Sequence, residues 1–449
     1  MNRNIVFLLL VICLGVAFPL RGAAAQESVA LSVDPSASLG AISPYVYGSN
    51  LQNSVIPPKM MDKAKATGIK FLRWGGGDSD RKDLEKSSID LFMYQVKQLG
   101  AEPLMTVRLL NGTPEAAAED VRYANIEKGY NITYWSIGNE PNIFTEVMKV
   151  DKYTAQDLAS QWRVIAEAMR KVDPNIKFMG PDITGYVVLD ATPGSMKYLD
   201  RALGGHSQDN QGTDWLQEFL RVNADLLDVV TIHRYPYPGA ARSSTAAATI
   251  EGLQEVNKEW DIAIPNLRAV IKAAAGRDIP IGVTEFNSHS GPSSGAEASL
   301  DSFYNAIWMS DVLGRLISHK VEFIASWDFQ GVANHPWGLI TRDSVRPSYY
   351  AYIMYTHFGT ELLTSQSSDP SLSIYTAKRA DGVLTVMVIN PTRGARSVTL
   401  SVTGMDAPKA AETWRLDPEH NAEQIGTDEA LNGTLTLPGQ SVTLYVINP

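Results

Sequence analysis

Eight strand-like segments alternate with helical ones over residues 47–330, and short alternating runs follow residue 348; together they predict an α/β chain, a (β/α)8 TIM barrel with a C-terminal antiparallel β-sandwich. The barrel strands are nearly continuous in apolar character, as strands buried on both faces are. At 449 residues the chain has room for both parts, since a barrel takes about 250 to 300 residues and a small sandwich about 100. An open doubly wound sheet is the competing arrangement. It usually brings a glycine-rich phosphate loop, and Gly75-Gly76-Gly77-Asp78 has neither the spacing nor a following Lys-Ser or Lys-Thr pair.

The first residues combine a short polar start with Arg3, an apolar run over 5–18, and Ala23, Ala24 and Ala25. That pattern predicts a secretory signal over 1–25, too short for a spanning helix and removed on export. The mature protein is then expected to be secreted, extracellular or periplasmic, with no membrane insertion. Cys13 is the one cysteine and lies inside that segment, so the mature chain has no disulfide, thiolate nucleophile or cysteine metal site. Bulky Ile12 ahead of Cys13 argues against lipoprotein acylation.

Val29, Leu31 and Val33 alternate as a strand, and 43–50 reads as a second strand stretch with its end marked by Gly48. Helix 60–67, capped by Gly68, leads to strand 70–74 and its three glycines; helix 91–99, capped by Gly100, leads to strand 103–109. Helix 114–128, strand 132–140, helix 155–172 behind Thr154 as N-cap, and strand 177–183 continue the alternation. Helix 215–223, strand 227–235, helix 263–275, strand 279–287, helix 299–319 and strand 323–330 complete it. Beyond it, alternating runs at 372–377, 383–389, 397–402, 412–416, 435–437 and 442–447 are punctuated by turns such as Asn390-Pro391 and Asn432-Gly433. The strand around Leu31 needs a sheet to pair with, which assigns 26–39 and 348–449 to the sandwich and 40–347 to the barrel.

Removing Arg3 and Arg21 with the signal leaves 37 basic against 49 acidic residues, a mature charge of about −12, and no basic block stands out. Nucleic acid and anionic membrane surfaces are therefore not expected partners. No HExxH or His-x-His strand end appears, and His206, His289 and His335 are scattered, so neither metal nor cofactor is expected. A GxSxG elbow is absent too. Asn-x-Thr sites at Asn111, Asn131 and Asn432 fit chance, since Asn131 opens a buried strand.

The stretch 134–142, YWSIGNEPN, is β-branched and aromatic and ends in Asn139-Glu140-Pro141. Pro141 cannot donate a ladder hydrogen bond, so the strand is expected to stop just past Glu140 and leave that carboxylate at the sheet edge. Alone this is equally a surface glutamate. A partner acid, Glu285 in IGVTEFN, ends the seventh strand-like segment as Glu140 ends the fourth. In a closed barrel the C-terminal strand ends form one rim, so the two acids can face each other across the mouth. Paired carboxylates across a sugar-sized gap are what glycosidic bond cleavage uses.

NEP on strand four and TEF on strand seven resemble the paired signatures of clan A retaining glycoside hydrolases. The resemblance implies Glu140 as acid/base, Glu285 as nucleophile, and Asn139 hydrogen-bonded to the sugar 2-hydroxyl. Arg73, ending strand two, is a candidate for holding Glu285 ionised, the alternative being a salt bridge in the barrel floor. The resemblance places His233 or Tyr235, in HRYP, by the nucleophile, against a plain buried histidine. Trp327 on strand eight resembles the aromatic platform under the sugar, the alternative being core packing; Trp74 and Trp337 are weaker candidates that read more readily as packing residues. WSIGNEPN and VTEFNS are similar to the β-xylosidase and α-L-iduronidase family, WSIGNEPN also to heparanases, and RWGGGDSDR to endoglucanases of xyloglucan type. Arg108 and Arg234 raise a uronic acid site, though single arginines at strand ends are mostly structural. The expected protein is a secreted retaining hydrolase acting on a carbohydrate substrate. A carbohydrate-binding protein without turnover and a transglycosylase stay open, as do the sugar, endo or exo action and the oligomeric state. If Glu140 is the acid, the charge of Glu285 should raise its pKa and activity should fall on both sides of a mildly acidic optimum.

Overall fold

The computed structural model describes residues 28–52, 54–192, 197–198, 206–237, 248–331, 335–404 and 411–448, so the expected signal segment with Cys13 lies outside the described residues. Eight parallel strands close a barrel in chain order: Gly48–Asn50, Phe71–Trp74, Glu102–Val107, Tyr134–Ile137, Lys177–Thr184, Leu227–Arg234, Ile281–Phe286 and Phe323–Ser326. Pairing of the eighth on the first, Ala325 opposite Gly48, completes the ring. They are called strands one to eight below.

The barrel interior divides into two layers. Toward the N-terminal end Phe71, Leu104, Met179, Val229, Phe323 and Ala325 form an apolar plug, and Tyr45 stacks on Phe323 with ring centroids 5.1 Å apart. Toward the C-terminal end the buried residues turn polar: Asn50, Arg73, Thr106, Ser136, Thr231, His233 and Thr284. Several of these groups pair with one another, as buried polar groups tend to. Thr106 Oγ1 and Ser136 Oγ lie 2.7 Å apart inside, and on the outer face Ser49 Oγ and Ser326 Oγ lie 2.8 Å apart with the Tyr352 hydroxyl 2.9 Å from Ser326 Oγ.

Helices cover the outside. Ala155–Val172 begins at a capping box in which the Thr154 hydroxyl accepts from the Asp157 N–H at 3.2 Å and the Asp157 carboxylate accepts from the Thr154 N–H at 2.9 Å. It buries Leu158, Trp162, Ile165 and Met169 at helical spacing. Pro347–Thr356 is also a helix, where the sequence shows only fading periodicity; it packs on Phe303–Ser318 and starts at residue 347, where the expected division falls. Its run PSYYAYIMYT is buried on most sides and so shows no amphipathic period.

Nine strands form the second unit as one continuous, mostly antiparallel sheet. Val29–Ala41 enters it between Glu361–Ser367, antiparallel, and Arg396–Val402, parallel. The sheet curls so that Val29, Leu31, Val33, Val386, Val388, Val398, Leu435 and Tyr445 share one core. It packs directly on the barrel: Tyr375 donates to Asp311 Oδ1 at 2.6 Å, and His357 stacks on Trp414 at 3.7 Å. Among the described residues no helix is long and apolar enough to cross a membrane.

Candidate active site

Strand four ends at Ile137, earlier than its apolar run predicts, because Gly138 takes φ 82° and breaks the ladder. Glu140 itself has φ 51°, and Pro141 opens a short 3-10 turn. The carboxylate is therefore presented by a left-handed turn rather than by the strand edge. The Glu140 N–H donates to Asp182 O at 3.0 Å, and the Glu140 side chain is 20% exposed, open to the mouth.

Glu285 extends from strand seven with 6% of its side chain exposed. Arg73 Nη1 donates to Oε1 at 2.8 Å and the Tyr235 hydroxyl donates to Oε2 at 2.7 Å. His233, opposite Glu285 in register, places Nδ1 3.1 Å from Glu140 Oε1 and 3.7 Å from Glu285 Oε2. Burial opposes a charge on His233, but Glu285, Asp182 and Glu140 outweigh it and push its pKa up to about 9, so the ring is a cation at neutral pH.

Arg73 is fully buried and uses four N–H donors: Nη1 on Asn50 Oδ1 and Glu285 Oε1, Nη2 on Asn139 Oδ1 and Asp182 Oδ2, at 2.8 to 3.1 Å. The glycines after strand two make room for this. A Cβ on Gly75 would sit 2.5 Å from the Arg73 guanidinium carbon, and one on Gly76, at φ 116°, 2.4 Å from Trp327 Cη2.

Asp182 is a site residue that the motifs did not point to. Burial alone would raise its pKa, but Arg73 and then His233 outweigh it and hold the carboxyl well below the usual range. Asn50 and Asp80 were also missed. Asn50 accepts from Arg73 and donates to Thr284 O and Ser326 O, tying strands one, seven and eight together. A proline and an aspartate inside the otherwise apolar KFMGPDI run were the available signal for Asp182.

The structure thus gathers Arg73, Asn139, Glu140, His233, Tyr235 and Glu285 at one rim. Trp327 stands half-buried at its edge, its carbonyl accepting from Asn287 Nδ2 at 2.6 Å. Trp74 does not join them: it is 6% exposed and packed in the main hydrophobic cluster, a correction to its place among the candidate sugar contacts. Trp337 stacks on His335. Neither arginine proposed for a uronic acid is free for one. Arg234 is paired with Glu259, and Arg108 with Asp83 and the Leu110 carbonyl.

Glu140, His233 and Glu285 offer donor atoms all within 4.8 Å of one another, the one such grouping of three among the described residues. The set suits a metal poorly. A protonated His233 donates rather than ligates, and Arg73 already neutralises Glu285. What the arrangement offers is two carboxylates at sugar-sized separation, one half-open and one clamped between fixed donors.

No family model matches the chain. A β-xylosidase of Geobacillus stearothermophilus is 21% identical over 274 residues, covering 57% of this chain and 46% of that one. The chain is similar to glycoside hydrolases. It spans about half the length of that relative and less of the others it matches. A bifunctional glucanase-xylanase, CelM2, from a metagenome library superposes with TM-score 0.71 at 19% identity over 94% of this chain and 99% of that one. A family 44 xyloglucanase of Paenibacillus polymyxa, solved with xyloglucan, gives TM-score 0.70 at 16% identity over 94% and 100%. These likenesses establish the shared fold, and they agree with clan A without selecting one family in it.

Proposed function

We infer that this chain is an exported, metal-independent retaining glycoside hydrolase acting on β-linked glycosides or polysaccharides, with Glu140 as acid/base and Glu285 as nucleophile. The observation that carries the reading is the approach of the two carboxylates, whose facing oxygens lie within 4.8 Å. Retaining enzymes hold their carboxyls about 5 to 5.5 Å apart, while inverting enzymes leave about 6.5 to 9.5 Å for a water. The gap supports direct attack.

In the first step Glu285, fixed by Arg73 on one oxygen and Tyr235 on the other, attacks the anomeric carbon as the glycosidic C–O bond breaks. Glu140 gives its proton to the departing oxygen. The carboxylate left behind meets the His233 ring at 3.1 Å, so its new charge is neutralised where it forms. In the second step Glu140 takes a proton from water, the water oxygen bonds the anomeric carbon, and Glu285 leaves as carboxylate. Asn139 Oδ1 is held by Arg73, which turns its NH2 group toward the sugar 2-hydroxyl. Trp327 supplies the flat face beneath the ring.

The β-xylosidase and α-L-arabinofuranosidase relatives, with the glucanase-xylanase and xyloglucanase neighbours, support a pentose- or glucose-containing plant-type glycan as substrate. Wild type, Glu285→Ala and Glu140→Ala should be incubated with aryl β-glycosides and a polysaccharide panel. Turnover by wild type and its loss in Glu285→Ala is the expected result. Binding without turnover on every substrate would leave a carbohydrate-binding protein instead, and product analysis separates hydrolysis from transfer to a sugar acceptor.

A further inference from the structure

We propose that Asp80 is a positioning residue whose buried carboxylate pins the backbone that presents Glu140. The proposal rests on the glycosidase reading above. Asp80 lies in the GGGDSD segment after strand two, is 1% exposed, and accepts three backbone hydrogen bonds. Oδ1 takes the N–H groups of Leu109 and Leu110, both at 2.8 Å, and Oδ2 takes the N–H of Asn139 at 2.7 Å. One side chain from the strand-two loop thereby ties the exit of strand three to the turn after strand four.

The residue it grips lies between two left-handed ones. Gly138 and Glu140 both have positive φ, and such a conformation at a residue other than glycine persists only where the surroundings over-determine it. Two restraints act here. Asp182 O holds the Glu140 N–H from the strand-five side, and Asp80 holds the Asn139 N–H from the strand-two side. Asn139 in turn carries its Oδ1 to Arg73. A turn released at Asp80 would shift Glu140 and Asn139 together while Glu285 stayed on its own clamp.

The carboxylate is suited to this work only while ionised, because a protonated oxygen would face a backbone N–H donor. Burial pushes the Asp80 pKa up to about 6, against the three backbone N–H groups and Arg108, which lower it. Among the described residues, Arg108 and the buried Tyr153 hydroxyl both interact with it. As pH falls through about 6 the pin should loosen and turnover decline, although Asp80 never meets the sugar.

Asp80→Asn and Arg108→Met, in the full chain, should be assayed on an aryl glycoside that wild type turns over, from pH 4.5 to 8, with kcat and KM separated and folding followed by near-ultraviolet circular dichroism. Folded Asp80→Asn should lose about a hundredfold in kcat, the scale of a small misplacement of a catalytic group, with KM within about threefold of wild type. The limb near pH 6 should vanish from its profile. Arg108→Met leaves the three hydrogen bonds in place and removes a cation that favours ionised Asp80, so it should keep wild-type kcat at pH 8 and move the limb to higher pH. A folded Asp80→Asn with wild-type kcat, or a limb that stays put in Arg108→Met, overturns the proposal. If Asp80→Asn does not fold, the Arg108→Met limb decides. Absence of wild-type turnover is read first and removes the glycosidase reading together with the proposal.

Discussion

Replacing Arg73 by methionine keeps most of the side-chain volume and removes the cation that holds the rim together. Four hydrogen bonds go, and Glu285 and Asp182 are left as buried carboxylates without their guanidinium partner. Breaking a buried ion pair from one side costs about 3 to 5 kcal/mol, a large share of a total stability of about 5 to 15 kcal/mol. The variant should unfold at markedly lower urea at pH 7, followed by tryptophan fluorescence, and should have lost turnover under conditions where it is still folded. The pH dependence adds a signature. The folded Asp182 pKa is depressed, so its contribution to stability is present above the unfolded value, about 3.9, and is lost as pH falls through the folded value. Without Arg73 that pKa rises, and the variant gains from protonating Asp182 in the range where wild type does not. The stability gap should therefore be widest near neutrality and shrink below about pH 4. A gap under about 1 kcal/mol at pH 7, or one that stays constant down to pH 3, would refute the clamp.

Gly76→Ala drives a Cβ into the Trp327 ring, so KM for short substrates should rise and stability fall; an unchanged KM would remove Trp327 from the sugar-binding face. His233 has a raised pKa, so its stabilising contribution is full below the unfolded value, about 6.5, and is lost as pH rises through about 9. Both the urea midpoint and kcat/KM should decline along an alkaline limb near pH 9, and a midpoint flat from pH 7 to 10 would contradict the charged ring. Thr154→Ala opens the capping box of Ala155–Val172 and should cost about 1 kcal/mol without altering kcat, measured by unfolding and steady-state rates on the same preparation.

The barrel was legible because its signal is local. Helices Ala155–Val172 and Trp215–Asn223 begin and end where their caps and periodicity put them, and Glu140 and Glu285 could be paired because strand number fixes which rim an acid reaches. Period-two alternation also contained more than was taken from it. His233 and Tyr235 are two residues apart and both meet Glu285, whereas Arg73 and Trp74 are neighbours in one strand and must point to opposite faces. An Arg73 turned into the barrel commits Trp74 to the helix layer. Asp182, Asn50 and Asp80 were not legible, since each is a single polar residue whose role comes from partners far along the chain: Asp182 from Arg73, Asn50 from Thr284 and Ser326, Asp80 from Asn139. The turn that presents Glu140 was hidden for a related reason. Gly138 and Pro141 mark a strand end, but a left-handed Glu140 depends on restraints from strands two and five.

The most direct test of the central claim is the stereochemistry of the first product. Proton NMR of an aryl β-glycoside during the opening minutes of turnover, before mutarotation, distinguishes the anomers. Carboxylate oxygens within 4.8 Å match the short spacing of retaining enzymes rather than the wider one that admits an attacking water, so the β-anomer should appear first. First appearance of the α-anomer would mean that water attacks directly, and Glu285 could not be the nucleophile.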